Sequence, residues 1–164
     1  PCPYSFTIEK HLPRGYTPAP RETEADASGD VQTLDRRLKT WVYLTVKDSD
    51  KWEFPTVQLR EDETLLDAAK RAIEEKVGGT LKIYYPSNCP MAVDVKVYSK
   101  EDQKQNIYGE KTFFMVVQYD EGKVDKSGIH VDDFAWLEKS EVVERIKEEQ
   151  GEDKSKLYQY LLTT

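Results

Sequence analysis

The sequence predicts an α+β fold, an α/β/α sandwich around a mixed β-sheet, preceded by an extended N-terminal arm. Three observations carry that prediction. The order of elements runs strands, helix, strands, then two helices, which packs helices onto a sheet rather than onto each other. Within residues 64–79, Leu65, Leu66, Ala69, Ala72, Ile73 and Val77 recur at helical spacing as one apolar stripe. Within residues 92–98, Val93, Val95 and Val97 alternate with Asp94 and Lys96, the period of a strand. With 164 residues the chain holds one compact domain and an extension, not two ordinary domains.

Taken in order, residues 1–33 form the arm and residues 34–164 the domain. Pro3, Pro13, Pro18 and Pro20 interrupt the arm, and its 22–30 stretch is acidic and small, without period. Tyr4, Phe6, Ile8, Leu12 and Tyr16 would supply its apolar contacts if it orders against a partner. Residues 34–38 predict a helical turn that exposes Arg36 and Arg37, and 41–46 predict a strand rich in β-branched and aromatic side chains. Asp48 to Asp50 supply turn chemistry, after which the chain is extended through Trp52, Glu53 and Phe54 to Pro55.

Thr64 is the expected cap of the central helix, with Asp67 standing where a capping box has Glu, and Gly78 and Gly79 end it. Lys70, Glu74 and Glu75 lie off the apolar stripe. Strands follow at 81–85 and 92–98 around a loop at 86–90. Residues 111–119 lack a polar face in their middle and predict a central strand. A loop at 120–128 leads to a short strand at 133–136, to a helix capped by Ser140 that runs to residue 147 and stops near Gly151, and to a last amphipathic helix over 154–162.

The formal net charge of -7, from 31 acidic and 24 basic residues, argues against a large phosphate-binding surface as the main source of affinity. The longest apolar runs, such as 113–117, are too short to cross a bilayer, so no membrane partner is expected. Cys2 and Cys89 lack metal-ligand spacing, His11 and His130 lack a catalytic partner pattern, and Cys89 beside Pro90 reads as an inert thiol. Because the sequence opens on Pro1 rather than Met, a preceding piece that would have held any targeting signal is expected.

From Trp52 to about Lys147 the chain resembles the Nudix family, whose box reads G-x(5)-E-x(7)-R-E-U-x-E-E-x-G-U with U a bulky aliphatic. Anchoring its arginine on Arg71 places Glu63, Ile73, Glu75 and Gly78 on matching positions. Val57, Ala72, Lys76 and Gly79 depart from it. Diphosphate hydrolysis needs a divalent ion held by several carboxylates, which a helix supplies at spacings of three and four. Ala72 offers no ligand there, and Lys76 brings an ammonium where an anion is wanted. A one-residue slip restores Glu74 and Glu75 with Asp62 as the early acid, but puts Arg71 on a glutamate position and Val77 on the glycine. Neither register completes a site. The resemblance therefore implies no catalytic, cofactor-binding or metal-binding residue, with Glu63, Arg71, Ala72, Glu75, Lys76 and Gly78 as vestiges of the box.

Within the Nudix superfamily the chain is similar to a family of mitochondrial large-subunit ribosomal proteins that keep the fold without the activity. The carriers are Leu34-Asp35-Arg36-Arg37-Leu38, Trp41-Val42-Tyr43-Leu44, Trp52-Glu53-Phe54-Pro55, Thr64-Leu65-Leu66, Lys111-Thr112-Phe113-Phe114, His130-Val131 and Trp136-Leu137. That family implies a matrix location in the central protuberance of the mitochondrial ribosome, neighbouring ribosomal proteins as partners, and a candidate ribosomal RNA contact near Arg36, Arg37 and Lys39. Two other readings stand beside it. One is a divergent hydrolase of a nucleoside diphosphate derivative with Glu63, Glu74 and Glu75 as metal ligands. The other is a nucleotide-binding regulatory module whose pocket Tyr84, Tyr98 and Tyr108 would line.

Overall fold

The computed structural model describes residues 22–101, 103, 107–124 and 130–163. Expectations for Tyr4, Phe6, Ile8, Leu12, Tyr16, Cys2 and His11 fall outside them. The fold is α+β, as predicted. Its elements are α1 (Glu24–Ser28), β1 (Val42–Asp48), β2 (Lys51–Glu53), α2 (Leu65–Val77), β3 (Lys82–Tyr84), β4 (Ala92–Val97), β5 (Gly109–Phe114), β6 (Gln118–Glu121), β7 (Asp133–Glu138), α3 (Lys139–Gln150) and α4 (Glu152–Leu161).

β1 and β2 are joined through Ser49 and Asp50, both at positive φ (51° and 64°), as a two-residue turn matching the twist of a hairpin requires. β7 then pairs antiparallel with β1, Leu44 opposite Trp136, giving a three-stranded sheet in the order β2-β1-β7. β3 pairs with β6 and β4 with β5 as two-stranded ribbons. Every pairing between described strands is antiparallel, so the expected mixed sheet is corrected: the elements return by hairpin-like reversals, not by the crossovers that parallel strands need.

β7 feeds two cores. Its side chains alternate across the sheet, so Ala135 and Leu137 join Val142, Ile146, Tyr158, Leu161 and Leu162 of α3, α4 and the residue after them. Phe134 and Trp136 point the other way, into a cluster with Val46 of β1 and Val77 of α2. Aromatic packing sharpens the first core, where the Tyr158 ring stacks on Phe54 at 5.2 Å between centroids and meets Phe114 edge-on at 6.0 Å.

Both outer edges of the sheet are covered. At β2, the Trp52 N–H donates to Glu149 Oε2 at 2.7 Å and its carbonyl accepts from Gln150 Nε2 at 2.9 Å. At β7, the Trp136 N–H donates to the Val31 carbonyl at 2.7 Å, while its own carbonyl accepts from Arg36 Nη1 at 2.6 Å. Satisfying these backbone groups removes a template for strand addition.

Several local expectations change. The 111–119 strand divides into β5 and β6, which belong to different ribbons, and Phe113 and Val116 are partly exposed, so this segment is not central. α3 begins at Lys139 with Glu138 as its cap residue, and Ser140 sits inside the first turn, donating to Glu138 Oε1 at 2.7 Å. Residues 34–38 do not make a helical turn, and Arg37 takes a left-handed φ of 49°. Residues 24–28 form a helix that periodicity did not reveal: Thr23 and Asp26 cap α1 reciprocally, Thr23 Oγ1 accepting from the Asp26 N–H at 3.2 Å and Asp26 Oδ2 from the Thr23 N–H at 3.2 Å.

Candidate functional site

The candidate positions lie on and just before α2. This helix forms where predicted: Thr64 Oγ1 accepts from the Asp67 N–H at 3.2 Å, and Gly78 closes the last turn with φ 90°, a conformation a side chain would strain. Its buried face consists of Ala68, Ala72 and Val77, with Ile73 against the second core. Ala72 therefore lies on the buried face of α2, with a methyl group that offers no metal ligand.

Arg71 and Glu63 meet across the turn that leads into the helix. Arg71 Nε donates to Glu63 Oε1 and Nη2 to Glu63 Oε2, both at 2.7 Å, a fork-on-fork pair. Arg71 Nη2 also reaches the Gln58 carbonyl at 2.8 Å, and the Arg60 N–H donates to Glu63 Oε2 at 3.1 Å. The Arg71 hydrogen bonds pull the Glu63 carboxyl down to about 2, and Glu63 in turn raises the Arg71 guanidinium. Glu75 is drawn into the same network at longer range, 3.3 Å from Arg71 Nη1 and 3.4 Å from Arg60 Nη2. Both matching acids of the box are thus turned toward arginines.

Lys76 forms an ion pair with Asp48 at the end of β1. That pairing, first through hydrogen bonds from Lys76 and Ser49, holds the Asp48 carboxyl below its ordinary value. Nearby on β2, burial pushes the Glu53 carboxyl up, aided by the Asp48 charge and opposed by Lys76, Lys154 and Lys51. Glu74 and Asp62 are exposed. Among the described residues no three His, Cys, Asp or Glu side chains are grouped so as to hold a metal ion. In the sequence Asp48 reads only as turn chemistry and Glu53 only as extended chain, and nothing local pairs Asp48 with Lys76, 28 residues later.

Tyr98 and Tyr108 are cross-strand neighbours, the Tyr98 N–H donating to the Tyr108 carbonyl at 2.9 Å, whereas Tyr84 belongs to a different ribbon. Tyr84 on β3 is 60% exposed and Tyr108 before β5 is 64% exposed, while Tyr98 donates its hydroxyl to Glu110 Oε2 at 2.9 Å. A depression of about 380 Å³ lies elsewhere, between Thr23 and Asp26 of the α1 segment and Arg37 to Thr40, and another of about 260 Å³ borders α3 at Glu141, Glu144 and Glu148.

The three cations considered for RNA separate. Arg36 is 5% exposed and spends its guanidinium on the Trp136 carbonyl and on Glu141, with Nη1 and Nη2 each 2.7 Å from a carboxylate oxygen. It is a structural residue, correcting its expected exposure, because the segment 31–36 lies along the β7 edge. Arg37 and Lys39 are exposed. Cys89 is an exposed free thiol, and His130 is exposed.

No family model matches the chain. Among curated proteins it is 35% identical over 143 residues to large ribosomal subunit protein mL46 of Neurospora crassa, an alignment covering 80% of this chain and 39% of that protein. It is 28% identical over 134 residues to the mL46 of Rattus norvegicus, covering 77% of this chain and 47% of the relative. For the mL46 of Bos taurus the figures are 26% over 139 residues, covering 80% and 49%. The matched region thus spans 39–49% of the length of these curated relatives. On these likenesses, the chain belongs to the mL46 family of large ribosomal subunit proteins.

Proposed function

We propose that this chain is a non-catalytic structural component of the mitochondrial large ribosomal subunit, located in the matrix and held in the central protuberance by neighbouring ribosomal proteins. The observation that carries the non-catalytic part is the fate of the box carboxylates. Glu63 is neutralised by Arg71, Glu75 faces two arginines, and Lys76 pairs with Asp48, so the charges that would serve a metal serve the fold instead. The name of the relatives, large ribosomal subunit protein, supports the assembly part. The domain is read as a Nudix-like α/β/α sandwich, supported by the sheet that sends Phe134 and Trp136 toward α2 and Ala135 and Leu137 toward α3 and α4. The arm over 1–33 is read as anchored through Val31 and Gln32, the latter donating to Asp133 Oδ1 at 2.8 Å. Ribosomal RNA contact in this region would fall to Arg37 and Lys39.

The test is quantitative mass spectrometry of the tagged protein from mitochondria across a sucrose gradient at low and high salt. Co-migration with the large subunit at both salts is expected, since protein-held docking is less salt-sensitive than phosphate binding. Migration as a free small protein would overturn the reading.

A further inference from the structure

The β4–β5 ribbon is built inside out. Strand alternation ordinarily buries the apolar row and exposes the charged one, yet Ala92, Asp94, Thr112 and Phe114 form the inward face. Ala92 and Phe114 pack on the first core, and Asp94 meets Lys154 of α4 at 3.5 Å. The outward face carries Val93, Val95, Val97 and Phe113, exposed by 44%, 56%, 76% and 40%, with Met91 (49%) next in the same row. Together they expose on the order of a few hundred Å² of contiguous apolar surface, the size at which a patch on a monomer marks a contact site.

One charge sits within this face. Lys111 lies opposite Val95, is exposed, and has no carboxylate partner among the described residues, although acidic side chains outnumber basic ones in the chain. That combination selects the occupant. Nucleic acid would require several cations, and one lysine amid five apolar side chains does not supply them. A second copy would bring together two chains of net charge -7 and set Lys111 near its own image. A protein segment with an apolar strip and a carboxylate satisfies both the valine row and the lysine.

We propose that the Val93, Val95, Val97 and Phe113 face docks an apolar segment of a neighbouring ribosomal protein, and that this segment presents a carboxylate to Lys111. The inference rests on the assembly reading above and names where the contact is made.

The test uses the full-length protein expressed in cells, comparing the unsubstituted form with Val95→Asp/Val97→Asp and with Lys111→Glu and Lys111→Arg. Occupancy of the large subunit is measured on gradients. Because the substituted side chains face outward, circular dichroism and Tm of the purified variants should stay at the unsubstituted values. We expect the double aspartate variant to lose about tenfold in occupancy, Lys111→Glu to lose several-fold, and Lys111→Arg to retain it. A photo-crosslinker at position 95 should mark one ribosomal protein, at a segment where Asp or Glu adjoins apolar residues. Undiminished occupancy of the double aspartate variant, or crosslinks to RNA, to a second copy or to residues 1–21 of this chain, would overturn the docking face while leaving the assembly reading intact. Failure of the unsubstituted protein to co-sediment would overturn the assembly reading and this inference with it.

Discussion

Arg71 and Glu63 stand eight residues apart and close on each other through two bonds of 2.7 Å, joining the turn before α2 to the helix itself. Because the ionised carboxylate is the form Arg71 binds, the pair makes stability depend on pH in a definite direction. Glu63 titrates at about 2 in the fold against an ordinary value of 4.5. A depressed folded value means that the stabilisation is complete above about pH 4.5 and is lost as pH falls from there to about 2. Urea unfolding of the wild type and of Glu63→Gln should differ by a constant amount from neutral pH down to about 5, and the difference should shrink below that. A difference independent of pH would contradict the pairing.

Arg36→Met should destabilise the fold by about 3 kcal/mol, since it leaves the Trp136 carbonyl and the Glu141 carboxylate without their shared donor. Chemical denaturation measures this directly. If the chain contacts ribosomal RNA as proposed, the same variant, kept folded by working well below its Tm, should keep the salt dependence of the wild type, because the side chain is not at the surface. A reduced salt slope would return Arg36 to the list of phosphate contacts.

Tyr158→Ala should cost about 4 kcal/mol by emptying the space between Phe54 and Phe114. Burial, with the charges of Glu53 and Asp94 behind it, pushes the Tyr158 phenol up to about 12. Ultraviolet titration should accordingly show one tyrosine ionising well after the exposed ones.

Restoring the box by substitution should damage the fold before it creates chemistry. Ala72→Glu places a carboxylate on the buried face of α2 and should cost about 3 kcal/mol. Lys76→Glu sets an anion beside Asp48 where an ion pair stood. We expect the double variant to melt earlier than the wild type and to show no magnesium-dependent hydrolysis over a nucleotide panel. Turnover by the double variant would show that only the ligands had been lost.

What the sequence made legible was local. The Thr64 cap, the stripe through Val77 and the Gly78 stop all act within one helix, so α2 was readable to the residue. The pairing of Arg71 with Glu63 was also within reach, because both belong to one short box. Arg36 was misread because its partner, Glu141, lies 105 residues away, and nothing near Arg36 hints at burial. The run from Lys111 to Tyr119 misled for the opposite reason. Continuous apolarity suggests a strand buried on both faces, whereas Phe114 alone turns to the Tyr158 ring and Phe113 turns outward. Lys76 announced a missing glutamate but not its strand partner Asp48, 28 residues earlier.

The most direct test of a structural rather than catalytic role replaces the carboxylates on the exposed side of α2 while keeping the two 2.7 Å bonds between Arg71 and Glu63. Cells depleted of the endogenous protein would be supplied with the full-length protein carrying Glu74→Gln/Glu75→Gln, and large-subunit abundance would be measured on gradients. Glu74 and Glu75 are both exposed, and Glu75 reaches Arg71 and Arg60 only at 3.3 and 3.4 Å, so the substitution should cost little stability and leave the protein folded. Restoration of subunit abundance to the wild-type level is the expected result. A variant that folds and co-sediments yet leaves ribosome abundance low would contradict a purely structural role and give those glutamates a chemical task.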